Sequence, residues 1–224
     1  MIPYLDKRSK KLLELIDARK KDKILVIGTG VFPKIEYFLK DKVKNITSVD
    51  IDKKNLENAK KILLKVDFRF LNAEKKFNLN QEFDKVIFTE VLEHLRNEEN
   101  ALSEINRILR KNGVLIISVP KKRWFNIFSP ISWFQHKREY NEKQIIKLLK
   151  ANKFKTEKII IGGNIYDLFN LWLHLIYKYF FRKLRDDFFR EKINQSWKRQ
   201  GKGTDILIKA EKEPFLERKL RERR

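Results

Sequence analysis

Cysteine is absent from all 224 residues, so disulfides, thiolate metal sites and cysteine nucleophiles are excluded. There is no internal repeat and no low-complexity block, and the length is enough to bury a full core without staples. The amino-terminal stretch MIPYLDKRSKK lacks the apolar core of a signal peptide, and the expected location is cytoplasmic. Negative charge is in short supply: 30 Asp and Glu face 52 Lys and Arg, a formal net charge of +22. Such a field favours anionic partners, whether nucleic acid, an acidic membrane surface or a phosphorylated substrate, without choosing among them. The cations are spread along the chain and interleaved with acids, so a lysine-rich solvated surface accounts equally for the excess. No RNA-binding motif is present, which makes nucleic acid the weaker of these partners.

Against that background stands Lys23–Gly30, KILVIGTG. Ile24, Leu25, Val26 and Ile27 show no polar alternation, as expected of a strand buried on both faces of a parallel sheet. Gly28-Thr29-Gly30 turns the chain at its carboxyl end, where a ligand can approach backbone. A second strand ends in Asp50 about twenty residues later, and the order of glycine turn, strand and acid is one that holds a nucleoside. Tight turns between strand and helix also carry glycines purely for packing, so this stretch alone leaves nucleotide binding open.

Strand and helix patterns then alternate. An amphipathic helix is expected within Tyr4–Lys21, a helix from Phe32-Pro33 to about Lys40, and strands at Ile46–Val49, Asp67–Leu71, Phe83–Phe88 and Val114–Val119. Helices are expected at Asn55–Lys65, Glu99–Leu109 and Glu142–Ala151, with Lys111-Asn112-Gly113 as a helix-ending turn and late strands at Thr156–Ile161 and Asp205–Lys209. This predicts an α/β fold with a doubly wound, mostly parallel sheet whose ligand crevice lies off the carboxyl ends of the strands. The whole chain reads as one domain: an N-terminal helix (1–22), a core (23–163 and 204–212), an insert (164–202) and a basic tail (213–224).

The insert is dense in aromatics. Within Ile165–Phe181 the polar residues Asp167, Asn170, His174 and Lys178 recur every three or four positions, and Arg182-Lys183-Leu184-Arg185 follows. The run is at the lower edge of what spans a bilayer and fits an interfacial helix at an anionic membrane better. A lid or homodimer helix that buries the same aromatics in protein is the competing account.

Read together, ILVIGTG, SVDID, FDKVIFTEVLEHL and EINRILRKNGVLIISVP make the chain, from Ile24 to about Lys212, resemble the class I S-adenosylmethionine-dependent methyltransferases. The likeness is nearest to the methyltransferase type 11 group that includes the ubiquinone-pathway O-methyltransferases. That resemblance implies a seven-stranded Rossmann-like fold and S-adenosylmethionine as cofactor. It implies that Gly28 and Gly30 lie under the methionine part, Asp50 at the ribose hydroxyls, Asn72 and Ala73 beside the adenine, and Glu90 at the mouth, with Thr29 and Ile51 also among the cofactor-binding residues. His136-Lys137-Arg138-Glu139-Tyr140 echoes a segment that precedes the final hairpin in that group. The chain departs from the family pattern at Val26, where an acid is usual, at Phe32, where a third glycine is usual, and at Asn72, where an aspartate is usual.

Glu90, Glu93 and His94 stand at i, i+3 and i+4, a spacing that shares one helical face. With His136 they make a two-carboxylate, two-imidazole set suited to an octahedral divalent ion such as Mg, similar to the ExxEH-plus-His arrangement of small-RNA 2′-O-methyltransferases. Without metal, His94 or His136 is the candidate general base, with Glu90 beside it. The expected acceptor is a small or lipid-linked molecule methylated at oxygen. An RNA methyltransferase or basic RNA-binding protein, and a membrane-associated scaffold without catalysis, stay open as alternatives.

Overall fold

The computed structural model describes residues 3–122, 138–163, 190–197 and 203–214. Helix α1 (Lys7–Ile16) starts where the Asp6 carboxylate accepts the Ser9 N–H at 2.7 Å, and it stops at Asp17, whose φ is +44°. It is therefore shorter at both ends than its apolar spacing predicts, because local capping decides helix ends. Strand β1 (Lys23–Ile27), helix α2 (Lys34–Leu39), strand β2 (Asn45–Asp50), helix α3 (Lys53–Ile62) and strand β3 (Asp67–Phe70) follow. The second half comprises β4 (Phe83–Thr89), a single 3-10 turn (Leu92–His94), α4 (Glu98–Ile108), β5 (Leu109–Pro120), α5 (Glu142–Ala151), β6 (Phe154–Gly162), α6 (Arg190–Ser196) and β7 (Asp205–Lys212).

The seven strands form one sheet in the order β3-β2-β1-β4-β5-β7-β6, parallel except for β7, which runs antiparallel to both neighbours. This is the doubly wound α/β sheet predicted from the alternation. Apolar side chains on both strand faces explain the lack of polar alternation in β1: Leu25 and Ile27 pack with Leu102 and Ile105 of α4 and Ile145 of α5. Ile24 and Val26 pack on the other side with Leu12 and Ile16 of α1, Leu39 of α2 and Leu56 of α3.

One expectation changes. Lys111-Asn112-Gly113 does not end the helix: α4 stops at Ile108 and β5 begins at once, Leu109 pairing with Phe83. The turn is instead an irregularity inside the strand pairing, with Asn112 at φ +59°.

Of the predicted insert, only α6 and Trp197 fall among the described residues at 164–202. The Trp197 ring is buried against Gly162, where a Cβ would come within 2.2 Å of it. The aromatic stretch Ile165–Phe181 lies outside the described residues. Among the described residues no helix is long and apolar enough to cross a membrane.

Candidate active site

Strand order reverses between β1 and β4, and the carboxyl ends of these strands are the switch point at which open α/β sheets form a ligand crevice. Gly28 (φ +93°) and Gly30 (φ +66°) line it, both in a backbone region that favours glycine. Their surroundings differ. A methyl group at Gly28 would meet Val91 Cγ2 at 2.5 Å, whereas one at Gly30 would meet nothing within 4 Å. Gly28 thus serves packing, and Gly30 leaves backbone open to a ligand. The turn is stitched to β2: Gly28 and Thr29 donate their N–H groups to the Val49 carbonyl at 2.8 and 3.3 Å.

Asp50, at the end of β2 and 8% exposed, completes this wall. Its Oδ2 accepts the Gly30 N–H and its Oδ1 the Asp52 N–H, each at 2.8 Å. A carboxylate oxygen has two lone pairs, so each retains capacity for a ribose hydroxyl. Ile51 beside it is 60% exposed, an apolar ledge suited to a flat base. Asn72 spends one lone pair of its amide oxygen on the Glu74 N–H at 2.9 Å, and Ala73 is buried. The Phe32 ring lies against Tyr37 of α2, centroids 6.4 Å apart, while Val26 is one of the apolar core residues. On these observations the wall fits a nucleoside cofactor.

The opposite wall is built on Glu90, which follows β4 with φ +55° and a side chain 43% exposed. Its Oε1 accepts from Arg8 of α1 at 2.5 Å and from the Ser118 hydroxyl of β5 at 2.6 Å. Arg8 also reaches Asp205, the first residue of β7, at 3.3 Å. Burial opposes the Arg8 charge, yet the carboxylates of Glu90, Asp205 and Asp6 outweigh it and raise its pKa. Glu93 is fully buried and neither carboxylate oxygen has a hydrogen-bond partner. Burial first, and then the charge of Glu90, pushes its pKa up to about 8. His94 Nε2 lies 3.9 Å from Glu93 Oε1, with the His94 side chain 39% exposed. Arg138 donates to the Leu95 and Arg96 carbonyls and pairs with Glu98, which also accepts from Tyr140. The segment after His136 therefore braces the loop that carries His94.

These positions do not support the metal expectation. Glu90 precedes the 3-10 turn rather than sharing a helical face with Glu93 and His94, so the α-helical face that the i, i+3, i+4 spacing implies is not formed. Glu90 is occupied by Arg8 and Ser118, and the Glu93 carboxylate is sealed from solvent. Among the described residues no group of three or more His, Cys, Asp or Glu is placed to hold a metal ion, and His136 lies outside them. The described members of the set, Glu90, Glu93 and His94, do not make a metal site by themselves.

With the site laid out, residues 25–117 match the family model described as Methyltransferase domain. Over that stretch the chain is similar to a methyltransferase domain. Over 144 residues the chain is 24% identical to the ubiquinone biosynthesis O-methyltransferase of Pelagibacter ubique, covering 57% of this chain and 59% of that protein. Over 119 residues it is 28% identical to an assigned S-adenosylmethionine-dependent methyltransferase of Mycolicibacterium smegmatis, covering 52% of this chain and 46% of that one. The chain thus spans about half the length of the curated relatives it matches. A crystal structure from Bacillus halodurans, assigned as a methyltransferase, superposes with a TM-score of 0.68 at 18% identity, covering 92% of this chain and 98% of that one. At that identity the likeness shows the fold alone.

Four residues of the candidate site escape sequence reasoning. Arg8 and Ser118 meet Glu90, and Asp205 meets Arg8, through contacts 28 to 197 residues apart in sequence. Glu36, buried beneath the glycine turn, does carry a local signal: it is an acid three residues before the buried Leu39, on an inward helical position.

Proposed function

We propose that the chain is an S-adenosylmethionine-dependent methyltransferase that transfers a methyl group to a hydroxyl oxygen of a small or lipid-linked acceptor. The observation that carries this reading is the 2.8 Å contact of Gly30 N–H with Asp50, which joins the glycine turn to the acid at the switch point of a matched methyltransferase domain. The cofactor, when bound, supplies an electrophilic methyl group on a sulfonium. The free lone pairs of Asp50 hold the ribose hydroxyls, the open backbone at Gly30 admits the methionine part, and Ile51 packs the base.

Such a displacement asks the protein mainly for alignment and for somewhere to put the acceptor's proton. His94 is the partly exposed imidazole at this wall and takes the role of base, while Arg8 and Ser118 fix the Glu90 carboxylate. Oxygen as the acceptor atom is supported by the match to an enzyme named as an O-methyltransferase. A lipid-linked acceptor at a membrane is supported by the composition of Ile165–Phe181 and the cations after it.

Calorimetric titration with S-adenosylmethionine, followed by methyl transfer to phenolic and lipid-linked hydroxyl acceptors, tests the reading. Saturable binding with methylated oxygen in the product supports it. Absence of cofactor binding overturns it, and methylation at nitrogen or on RNA replaces the acceptor class.

A further inference from the structure

Glu36 lies in the first turn of α2 and is 1% exposed. Its Oε1 accepts from the Ser48 hydroxyl at 2.5 Å, and the Ser48 oxygen lies 2.7 Å from the Thr29 hydroxyl. All three are buried, and Thr29 sits between the two glycines of the cofactor turn. We propose that Glu36 is a positioning residue for this turn: acting through Ser48, its carboxylate fixes the Thr29 hydroxyl and so sets the affinity of the crevice for the cofactor. This rests on the functional reading above.

The direction of the relay follows from what each group can donate. Ser48 donates its single proton to Glu36 Oε1, and its lone pairs are then free to accept from Thr29. Thr29 spends its proton inward. The turn is thereby held by four bonds that all lead to β2: Gly28 and Thr29 N–H to Val49, Gly30 N–H to Asp50, and the Thr29 side chain to Ser48. A turn ordered before the ligand arrives has less freedom to lose on binding.

An acid is a costly choice for this inward position. Leu39, one helical turn further on, shows what simple packing uses there. Burial, with the charge of Asp50 adding to it against the relief from Ser48, raises the Glu36 pKa to about 7. The relay joins α2, the middle of β2 and the glycine turn, so the acid's hydroxyl partners lead directly to the crevice wall. An apolar side chain would fill the space but leave Ser48 and Thr29 without a fixed sense of donation.

The test is calorimetric titration of the full chain with S-adenosylmethionine, alongside thermal unfolding of each variant. Glu36→Leu should weaken binding about tenfold, in line with a lost charged hydrogen bond, while Glu36→Gln, whose amide oxygen still accepts from Ser48, stays within about threefold. Thr29→Val, nearly isosteric, should weaken binding to a similar degree, and the Thr29→Val, Glu36→Leu double variant should be no weaker than Glu36→Leu alone. Additive losses, or Thr29→Val binding like the wild type, overturn the inference, and the second outcome stands even if Glu36→Leu fails to fold. Lower melting temperature with unchanged affinity also overturns it and leaves Glu36 as a support of the fold only. If the wild type binds and the variants match it, only this inference falls. If the wild type does not bind, the functional reading falls with it.

Discussion

The two ends of the same sheet carry opposite chemistry. At the carboxyl ends of the parallel strands Glu36, Asp50, Glu90, Glu93 and Asp205 gather around the glycine turn, with Arg8 drawn among them. At the amino ends a concavity of about 500 Å³ is lined by Lys20, Lys40, Lys42, Lys44 and Lys65, with Asp41 and Val43. A net charge of +22 therefore says little about the site, which is the acidic part of a basic molecule. The alternation of strand and helix explains much of the lysine edge. Each helix that precedes a parallel strand ends there, and cations favour helix carboxyl termini: Lys60 and Lys61 fall in the last turn of α3, and Lys40 caps α2.

This contrast breaks most visibly at Lys85. On the amino-end side its ammonium pairs with the buried Asp22 at 2.9 Å and donates to the Ile16 and Asp17 carbonyls. Lys85→Ala strands Asp22 and should cost about 3–5 kcal/mol of stability in denaturant titration. Cofactor affinity of the folded fraction should not change. A changed affinity would mean that the two ends are coupled.

On the crevice side the reverse pattern is expected. Asp50→Ala should weaken S-adenosylmethionine binding by about 1.5–3 kcal/mol in calorimetry, because a charged acceptor is lost from the ribose position. Binding equal to the wild type would remove Asp50 from the site.

Glu93 makes the acidic end sensitive to pH. Its folded pKa, pushed up to about 8 from an ordinary 4.5, means that the folded state holds a proton which the unfolded state has released. Stability should therefore fall as pH rises from about 4.5 through 8, since the native state binds more protons over that window. Glu36, raised to about 7, contributes in the same direction. Glu93→Gln should flatten this dependence and gain on the order of 1–3 kcal/mol at pH 9, while differing little at pH 4.5. Parallel pH curves for variant and wild type would contradict the assignment.

How much of this was legible in the sequence follows from the range over which each feature is decided. The apolar run Ile24–Ile27, its two glycines and the acid closing β2 are local patterns, and the structure has the buried strand, the turn and the Gly30–Asp50 contact that they imply. The Glu90, Glu93 and His94 spacing is also local, but it presumed an α-helix where the chain makes a 3-10 turn preceded by a left-handed residue. Arg8 had no local signal at all. Its position among the crevice carboxylates depends on how α1 packs against the sheet, anchored by Leu12, Leu15 and Ile16.

The smallest expected effects concern the lysines themselves. Replacing Lys42, Lys44 and Lys65 together by Glu should leave cofactor affinity within about twofold, since unit charges more than a Debye length from the crevice are screened at physiological salt. Membrane association, if it belongs to Ile165–Phe181, should persist in that variant in flotation with anionic vesicles, weaken with salt at about 1 kcal/mol per cation, and vanish when 165–181 is replaced by a short polar linker. Loss of flotation in the lysine variant alone would move the membrane contact to the amino edge.

Hydrogen exchange with and without S-adenosylmethionine tests the division between the two ends most directly. The cofactor should slow exchange at residues 28–30, 50–52 and 72–73, and leave residues 40–45 and 63–66 as they were. Protection confined to the lysine edge, or spread evenly over both ends, would contradict the placement of the cofactor in the Gly30–Asp50 crevice.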